Sequence, residues 1–253
     1  MAAVNAPVRP LVWAHRGCPT EAPENTLAAF AAAVDAGADG VEFDVQLSRD
    51  GVPVVIHDET LDRTTDGHGP VGAHTAAQLA ALDAGAGAGV PTLADVLDLL
   101  APTRLGVNIE LKNSVVAYPG LEQAVLAAVA AAGLGERVVL SSFSAASVGR
   151  LARLTDLEVA LVYSRPWPRP LALATELGAR AVHPARRLVY PGLVAAARRR
   201  GLAVRPWVVN DAGALRRLAR VGVDGVFTDA PRLVRTRLAT MRMPSDTRAK
   251  GSQ

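Results

Sequence analysis

"GVEFDVQLSRDGVPVVIHD", residues 40–58, contains two β-rich runs joined by only four residues, "SRDG" at 48–51. Parallel strands need a crossover of about a dozen residues, so the two runs are read as an antiparallel hairpin with Asp50-Gly51 as its turn. Within the first run, Val41, Phe43, Val45 and Leu47 share one face, while Glu42, Asp44 and Gln46 share the other. If Arg49 faces Val52 across a two-residue turn, the register sets His57 opposite Asp44, with their β-carbons about 4.5–5.5 Å apart. A bulge would shift that register by one residue.

On either side of the hairpin, β-rich runs alternate with Ala/Leu-rich helical stretches. The runs are "LVWAH", "GVEFDVQ", "VPVVIH", "GVNIEL", "RVVLSS", "EVALVY", "RAVHP", "AVRPWVV" and "GVFTD". Setting aside the returning arm of the hairpin leaves eight strands, the number that closes a (β/α)8 barrel. An open doubly wound sheet competes with this reading, but no Gly-rich dinucleotide loop follows the first strand. The expected fold class is therefore α/β, a TIM (β/α)8 barrel in a single domain over residues 1–253, with a hairpin after the second strand. The polar, turn-rich segment at about 58–91 breaks the alternation and is expected as a small insertion over the barrel mouth. Residues from about 241 to 253 are expected to be a flexible tail.

Half of the 253 residues are hydrophobic and a fifth are charged, as in soluble globular proteins. The formal net charge is only +3, and the one short basic run, "ARRR" at 197–200, suits a solvated helix face, so no nucleic-acid partner is expected. Cys18 is the single cysteine, which excludes an intrachain disulfide. No uncharged apolar stretch reaches the roughly 18–20 residues that span a bilayer, so stable membrane insertion is not expected. The start "MAAVNAPVRP" lacks the pattern of a signal peptide, and a cytoplasmic location is expected.

Two strands aim charge at the barrel interior. Glu42 and Asp44 do so from the first arm of the hairpin, and Asn108, Glu110 and Lys112 from "GVNIELKN". Burying ionised carboxylates together is unfavourable by several kcal/mol each unless opposite charge compensates them. One compensation is a divalent cation, which an all-oxygen ligand set would select as Mg²⁺ or Ca²⁺. The other is a salt-bridge network with Lys112 and Arg16. His15, at the end of the first strand, lies at the catalytic face of such a barrel, and with His57 it suggests a paired general acid and base. The planar fork of Arg16 suits phosphate, and Gly17 frees the backbone to turn. In "PENTLAAF", Asn25 or Thr26 can cap a helix whose Leu27, Phe30 and Val34 face the core, leaving Glu24 free to reach the site. Trp207 could form an apolar wall for a substrate, and His183 could face the mouth. Neither Ser141 nor Ser142 sits in a nucleophile-elbow pattern.

The ordered set "HRG" (15–17), "PENT" (23–26), "EFD" (42–44), "DGVPVVIHD" (50–58), "LDRTT" (61–65) and "ELK" (110–112) resembles the glycerophosphodiester phosphodiesterase family. The resemblance continues through "SSF" (141–143), "PWVVN" (206–210) and "GVFTDAP" (225–231). It implies a TIM barrel that hydrolyses a small-molecule glycerophosphodiester to glycerol 3-phosphate and an alcohol with one bound divalent cation. Carried over, His15 and His57 match the family's acid/base positions, and Glu42, Asp44 and Glu110 its metal ligands. Arg16 and Lys112 match positions that hold the phosphate. The chain departs from the family where aromatic residues usually stand between "LDAG" and "PTL"; here the stretch is "AGAGV" at 86–90. That leaves the catalytic set intact and alters the wall around the leaving alcohol. Two other functions remain compatible: a lysophospholipase D-type reaction on acylated substrates, and a barrel that binds phosphate or metal without catalysis.

Overall fold

The computed structural model describes residues 9–241. The expected tail lies outside these residues except for Met241, which packs against the core. The first half runs β1 (Leu11–His15), α1 (Leu27–Asp35), β2 (Gly40–Leu47), β3 (Pro53–Val55), α2 (Ala76–Ala80), α3 (Leu93–Leu100), β4 (Gly106–Leu111) and α4 (Leu121–Ala132). It continues as β5 (Val138–Ser142), α5 (Ala145–Leu154), β6 (Glu158–Tyr163), α6 (Pro170–Glu176), β7 (Ala181–Pro184) and α7 (Pro191–Arg198). The last elements are β8 (Ala203–Val204), α8 (Ala212–Val221), β9 (Gly225–Thr228) and α9 (Pro231–Thr240).

Eight strands pair in parallel in the order β8-β7-β6-β5-β4-β2-β1-β9, and β3 pairs antiparallel to β2. The barrel is nearly closed. At the seam between β8 and β9, the N–H groups of Arg205 and Trp207 go to β7 carbonyls, so the alternate residues must serve β9. Of these, Val204 gives its N–H to the Asp224 carboxylate at 2.7 Å, and Pro206 has none to give. The seam is held instead by Asp224, Phe227 and Val209 N–H groups donating to Val204, Pro206 and Phe227 carbonyls at 2.8–3.0 Å.

Strand alternation divides the core in two. Val41, Phe43 and Val45 of β2 and Val107, Ile109 and Leu111 of β4 face the helices, where they join Phe30, Leu97 and Val125 in one apolar layer. The opposite face fills the barrel. Its floor is Trp13, whose indole occupies the space that side chains at three neighbouring strand positions would need. A β-carbon at Gly40, Gly106 or Gly225 would lie 2.5, 2.7 or 3.0 Å from it. Arg205 stacks on the same indole at 5.6 Å, and Phe227 lies 6.0 Å away.

The hairpin differs from the sequence expectation by one residue. Leu47 pairs with Pro53 and Val45 with Val55, so Arg49-Asp50-Gly51 form a three-residue loop. Ser48 favours the longer loop because its hydroxyl donates to Asp50 and Val52 and accepts the Val52 N–H, while Gly51 takes φ +78°. His57 is therefore not the cross-strand partner of Asp44; that place belongs to Ile56, whose N–H donates to the Asp44 carbonyl at 3.0 Å.

The segment at 58–91 holds a 3₁₀ turn at Val71–Ala73 and α2, and buries Leu61, Val71, Leu79 and Val90 with Val54 and Ile56 of the hairpin arm as a separate small core. It reaches the loop after β1: a β-carbon at Gly85 would touch Pro23 at 2.8 Å. In the stretch that departs from the family pattern, Asp83 accepts the N–H groups of Gly85 and Gly87.

Candidate active site

The site is built at the carboxyl ends of the strands. Thr26, rather than Asn25, caps α1 by accepting the Ala29 N–H at 3.2 Å, and Phe30 is buried as expected. Leu27 is 40% exposed, so the buried face of α1 is made by Ala29, Phe30 and Ala33 instead. Relieved of capping, Asn25 (φ +58°) donates its side-chain amide to Asp44 at 3.1 Å.

At the end of β1 the backbone turns through two consecutive left-handed residues, Arg16 (φ +53°) and Gly17 (φ +85°). Any side chain at Gly17 would strike the Ala29 backbone at about 2.7 Å. The turn directs the Arg16 N–H at Glu42, 3.0 Å away, and its guanidinium towards Asp44 (3.5 Å) and Glu24 (2.8 Å).

Glu42, Asp44 and Glu110 bring one carboxylate oxygen each to within 4.8 Å of one another. Lys112 reaches Glu110 at 3.3 Å and Asp44 at 3.7 Å, so part of the expected salt-bridge network is present. It is incomplete, because Glu42 meets only the Arg16 N–H and, at 4.0 Å, the ring of His15. Burial, together with Asp44, pushes Glu42 well above the usual carboxylate range. Burial raises Glu110 as well, against the pull of Lys112. At Asp44, burial is outweighed by Lys112, His57 and Arg16, which hold the group low. Three buried carboxylates that resist ionising together, with only oxygen donors, fit a hard divalent cation, since His15 and Arg16 offset the charge at Glu42 only in part.

Both histidines are oriented by a carboxylate. His15 Nδ1 lies 2.7 Å from Asp229, just past β9, and Asn210 in turn donates to Asp229 at 2.6 Å. His57 Nδ1 lies 2.5 Å from Asp58, which Arg63 grips from the other side while also bonding Glu24. In each case Nδ1–H is committed and Nε2 is left for the cavity. For His15, burial opposes protonation, but the Asp229 hydrogen bond and Glu42 outweigh it and the group is raised. For His57, burial prevails with help from Lys112 and Arg16, and the group is lowered.

His57 reaches the site despite the shifted register because the chain leaves the ladder after Val55. The amide of Gln46 holds the departing turn by donating to the carbonyls of Ile56, His57 and Asp58 at 3.1, 3.2 and 2.6 Å. Tyr118 fixes that amide from behind, its hydroxyl donating to Gln46 Oε1 at 2.8 Å.

One cavity is lined by His15, Arg16, Glu42, Asp44, His57, Glu110 and Trp207. Lys112 stands behind Asp44 and Glu110. Trp207 donates its indole N–H to the His183 carbonyl at 2.8 Å and packs edge-on against Phe143, which turns it into a wall of the cavity. Ser142 bonds Leu111 and Asn113, and Ser144 rather than either strand-end serine caps α5. Cys18 is buried, and burial pushes its thiol up. Sequence reasoning did not single out Asn25, Asp58, Arg63, Gln46 or Asp229 for this role. Asp58 and Asp229 carried a usable signal, since each follows a strand or hairpin arm at the mouth of the barrel.

Residues 15–233 match the family described as the glycerophosphoryl diester phosphodiesterase family. A glycerophosphodiester phosphodiesterase of Caldanaerobacter subterraneus subsp. tengcongensis is 40% identical over 232 residues, covering 88% of this chain and 96% of the relative. The structure of an Oleispira antarctica phosphodiesterase, in complex with the product sn-glycerol-3-phosphate, is similar with a TM-score of 0.81. It is 30% identical, and the likeness covers 92% of this chain and 98% of that one. A glycerophosphodiester phosphodiesterase from Agrobacterium tumefaciens gives a TM-score of 0.78 at 34% identity, covering 90% and 99% of the two chains. Among the described residues, no helix is long and apolar enough to cross a membrane.

Proposed function

Because this chain belongs to the glycerophosphoryl diester phosphodiesterase family, we propose that it hydrolyses glycerophosphodiesters to sn-glycerol 3-phosphate and an alcohol by histidine acid/base catalysis. The observation that carries this reading is the joint lining of one cavity by three clustered carboxylates and two histidines, each histidine turned by its own aspartate.

Glu42, Asp44 and Glu110 would hold one divalent cation, Mg²⁺ or Ca²⁺. Bound there, it would supply Lewis-acid polarisation of the phosphoryl oxygens. Arg16 and Lys112 offset the charge that builds on the phosphoryl group in the transition state. His57, lowered and with Nε2 free, takes a proton from the attacking water as its oxygen bonds to phosphorus. His15, raised and held by Asp229, returns a proton from Nε2 to the oxygen of the leaving alcohol as its bond to phosphorus breaks. Trp207 and Phe143 form an apolar wall that keeps water from the far side of the substrate.

A second reading, hydrolysis of acylated substrates, is favoured by a neighbouring, largely apolar pocket that shares Phe143 and Val162 with the site and continues along Tyr163, Ser164, Arg165, Pro166 and Trp167. An assay for the released alcohol, choline or ethanolamine, run on glycerophosphocholine, glycerophosphoethanolamine and their lyso-acyl counterparts, decides between the two. Release from the deacylated substrates is the expected result. Cleavage of acylated substrates alone would favour the second reading, and no cleavage of either would remove both.

A further inference from the structure

Two polar side chains that the chemistry above leaves unused also line the cavity, one of them beside Phe227, which lies 6.0 Å from the Trp13 floor. His183 on β7 is 2% exposed, and its Nε2 has no hydrogen-bond partner. Asn108 on β4 is 1% exposed; its amide nitrogen donates to Ser141 at 3.0 Å, but its Oδ1 receives nothing. Both line the same cavity as the catalytic groups. By strand order, β4 and β7 are three places apart in the barrel, so the two reach the cavity from separate sides.

The surroundings make the imidazole conspicuous. Its cross-strand neighbour is Val162, its ring meets Phe227 edge-on at 4.9 Å, and Trp207 and Phe143 close the same wall. An apolar residue would pack here without cost, whereas an unpaired polar atom at this depth is destabilising. Nor is the imidazole a charge for the phosphate, because burial, reinforced by Arg205, holds it well below the usual histidine range and therefore neutral. Arg205 itself is committed to Glu158 and to the Trp13 ring. A neutral imidazole on one wall and an amide oxygen on the other suit neutral hydroxyl groups that both donate and accept.

We propose that His183 and Asn108 recognise the two free hydroxyls of the substrate's glycerol, so that the diol is read by hydrogen bonds at the inner end of the cavity while the phosphate meets the charged rim. The inference rests on the glycerophosphodiesterase reading and deepens it. His183 thereby sets specificity: a site with buried polar groups made for a hydroxyl rejects an analogue lacking it, because those groups are then left unpaired.

The test compares two ligands that share a phosphate monoester and differ in the diol, sn-glycerol 3-phosphate and ethyl phosphate, by calorimetric titration of the full chain with Mg²⁺. The wild type is expected to bind glycerol 3-phosphate at least about tenfold more tightly, the range in which loss of one hydrogen bond is felt. His183→Phe keeps a ring against Phe227 and removes the nitrogens. It is expected to bring the preference to within about twofold by weakening glycerol 3-phosphate alone, and His183→Gln to restore part of it. A preference unchanged in His183→Phe, or absent from the wild type, would overturn the proposal. An equal loss for both ligands would also overturn it, by making His183 a packing residue. Wild-type enzyme that cleaves no glycerophosphodiester would instead bring down the underlying reading, and this one with it.

Discussion

His15 and His57 face the same carboxylates, but each is held in a different way. The partner of His15, Asp229, lies 214 positions along the chain and is brought alongside by closure of the barrel: β1 and β9 pair with Ala14 beside Thr228, which sets the next residue of each strand at the rim together. The partner of His57 is its immediate neighbour, Asp58, in a turn that belongs to no strand. One orientation is set by the global fold. The other is set by a local clamp, with Gln46 holding the main chain and Arg63 holding the aspartate, and the latter pair is the more solvent-exposed. The same chemical device has thus been reached once through architecture and once through side chains, and the two should fail differently.

The largest effect comes from removing what both histidines face. Thorough EDTA treatment is expected to abolish hydrolysis, and Mg²⁺ or Ca²⁺ to restore it; full activity after chelation would exclude the cation. Next, His15→Ala and His57→Ala are each expected to lower kcat by on the order of 10³-fold, the usual share of general acid/base catalysis, with unfolding temperatures close to wild type. The asymmetry emerges one layer out. Asp229→Asn takes the charge from the carboxylate hydrogen-bonded to His15 and is expected to cost about 10²-fold in kcat. Asp58→Asn leaves the Gln46 clamp intact and is expected to cost about tenfold. Equal losses in the two variants would erase the distinction drawn here.

The smallest effect is on acid stability. Burial alone would raise Asp229, but His15, Asn210 and Arg16 together hold it below the usual carboxylate range, and Asp58 is held lower still, first by Arg63. A carboxyl whose folded pKa is depressed adds stability above its unfolded value, near pH 4, and that stability is lost as pH falls towards the folded value. Urea midpoints measured from pH 5 to pH 2 are therefore expected to fall less steeply in either asparagine variant than in the wild type. The flattening should be greater for Asp229→Asn, because the Asp58–Arg63 pair is screened by solvent.

The same contrast explains what could be read from the sequence. The eight parallel strands were legible because each apolar run repeats with a period of two and is followed by a helical stretch. Glu42, Asp44 and Glu110 were legible because alternation leaves them on the face opposite Val41, Phe43 and Ile109. Alternation stops being a guide where a ladder ends. The Ser48 hydroxyl lengthened the turn by one residue, and His57 then reached the site by a bend that no periodicity encodes. The His15–Asp229 pair was hidden for the opposite reason, since it depends on which strands close the barrel. Asn25 looked like a cap because Asn and Thr can both serve, and only the structure divides the work, giving Thr26 the helix and Asn25 the Asp44 carboxylate.

The indole of Trp13, filling the room left by Gly40, Gly106 and Gly225, plugs the barrel from below, so a ligand reaches the carboxylates from the mouth. Whatever enters last must go out first. If the glycerol lies at the inner end, as proposed, the products would leave in sequence: the alcohol first, then glycerol 3-phosphate, with the next diester waiting for both.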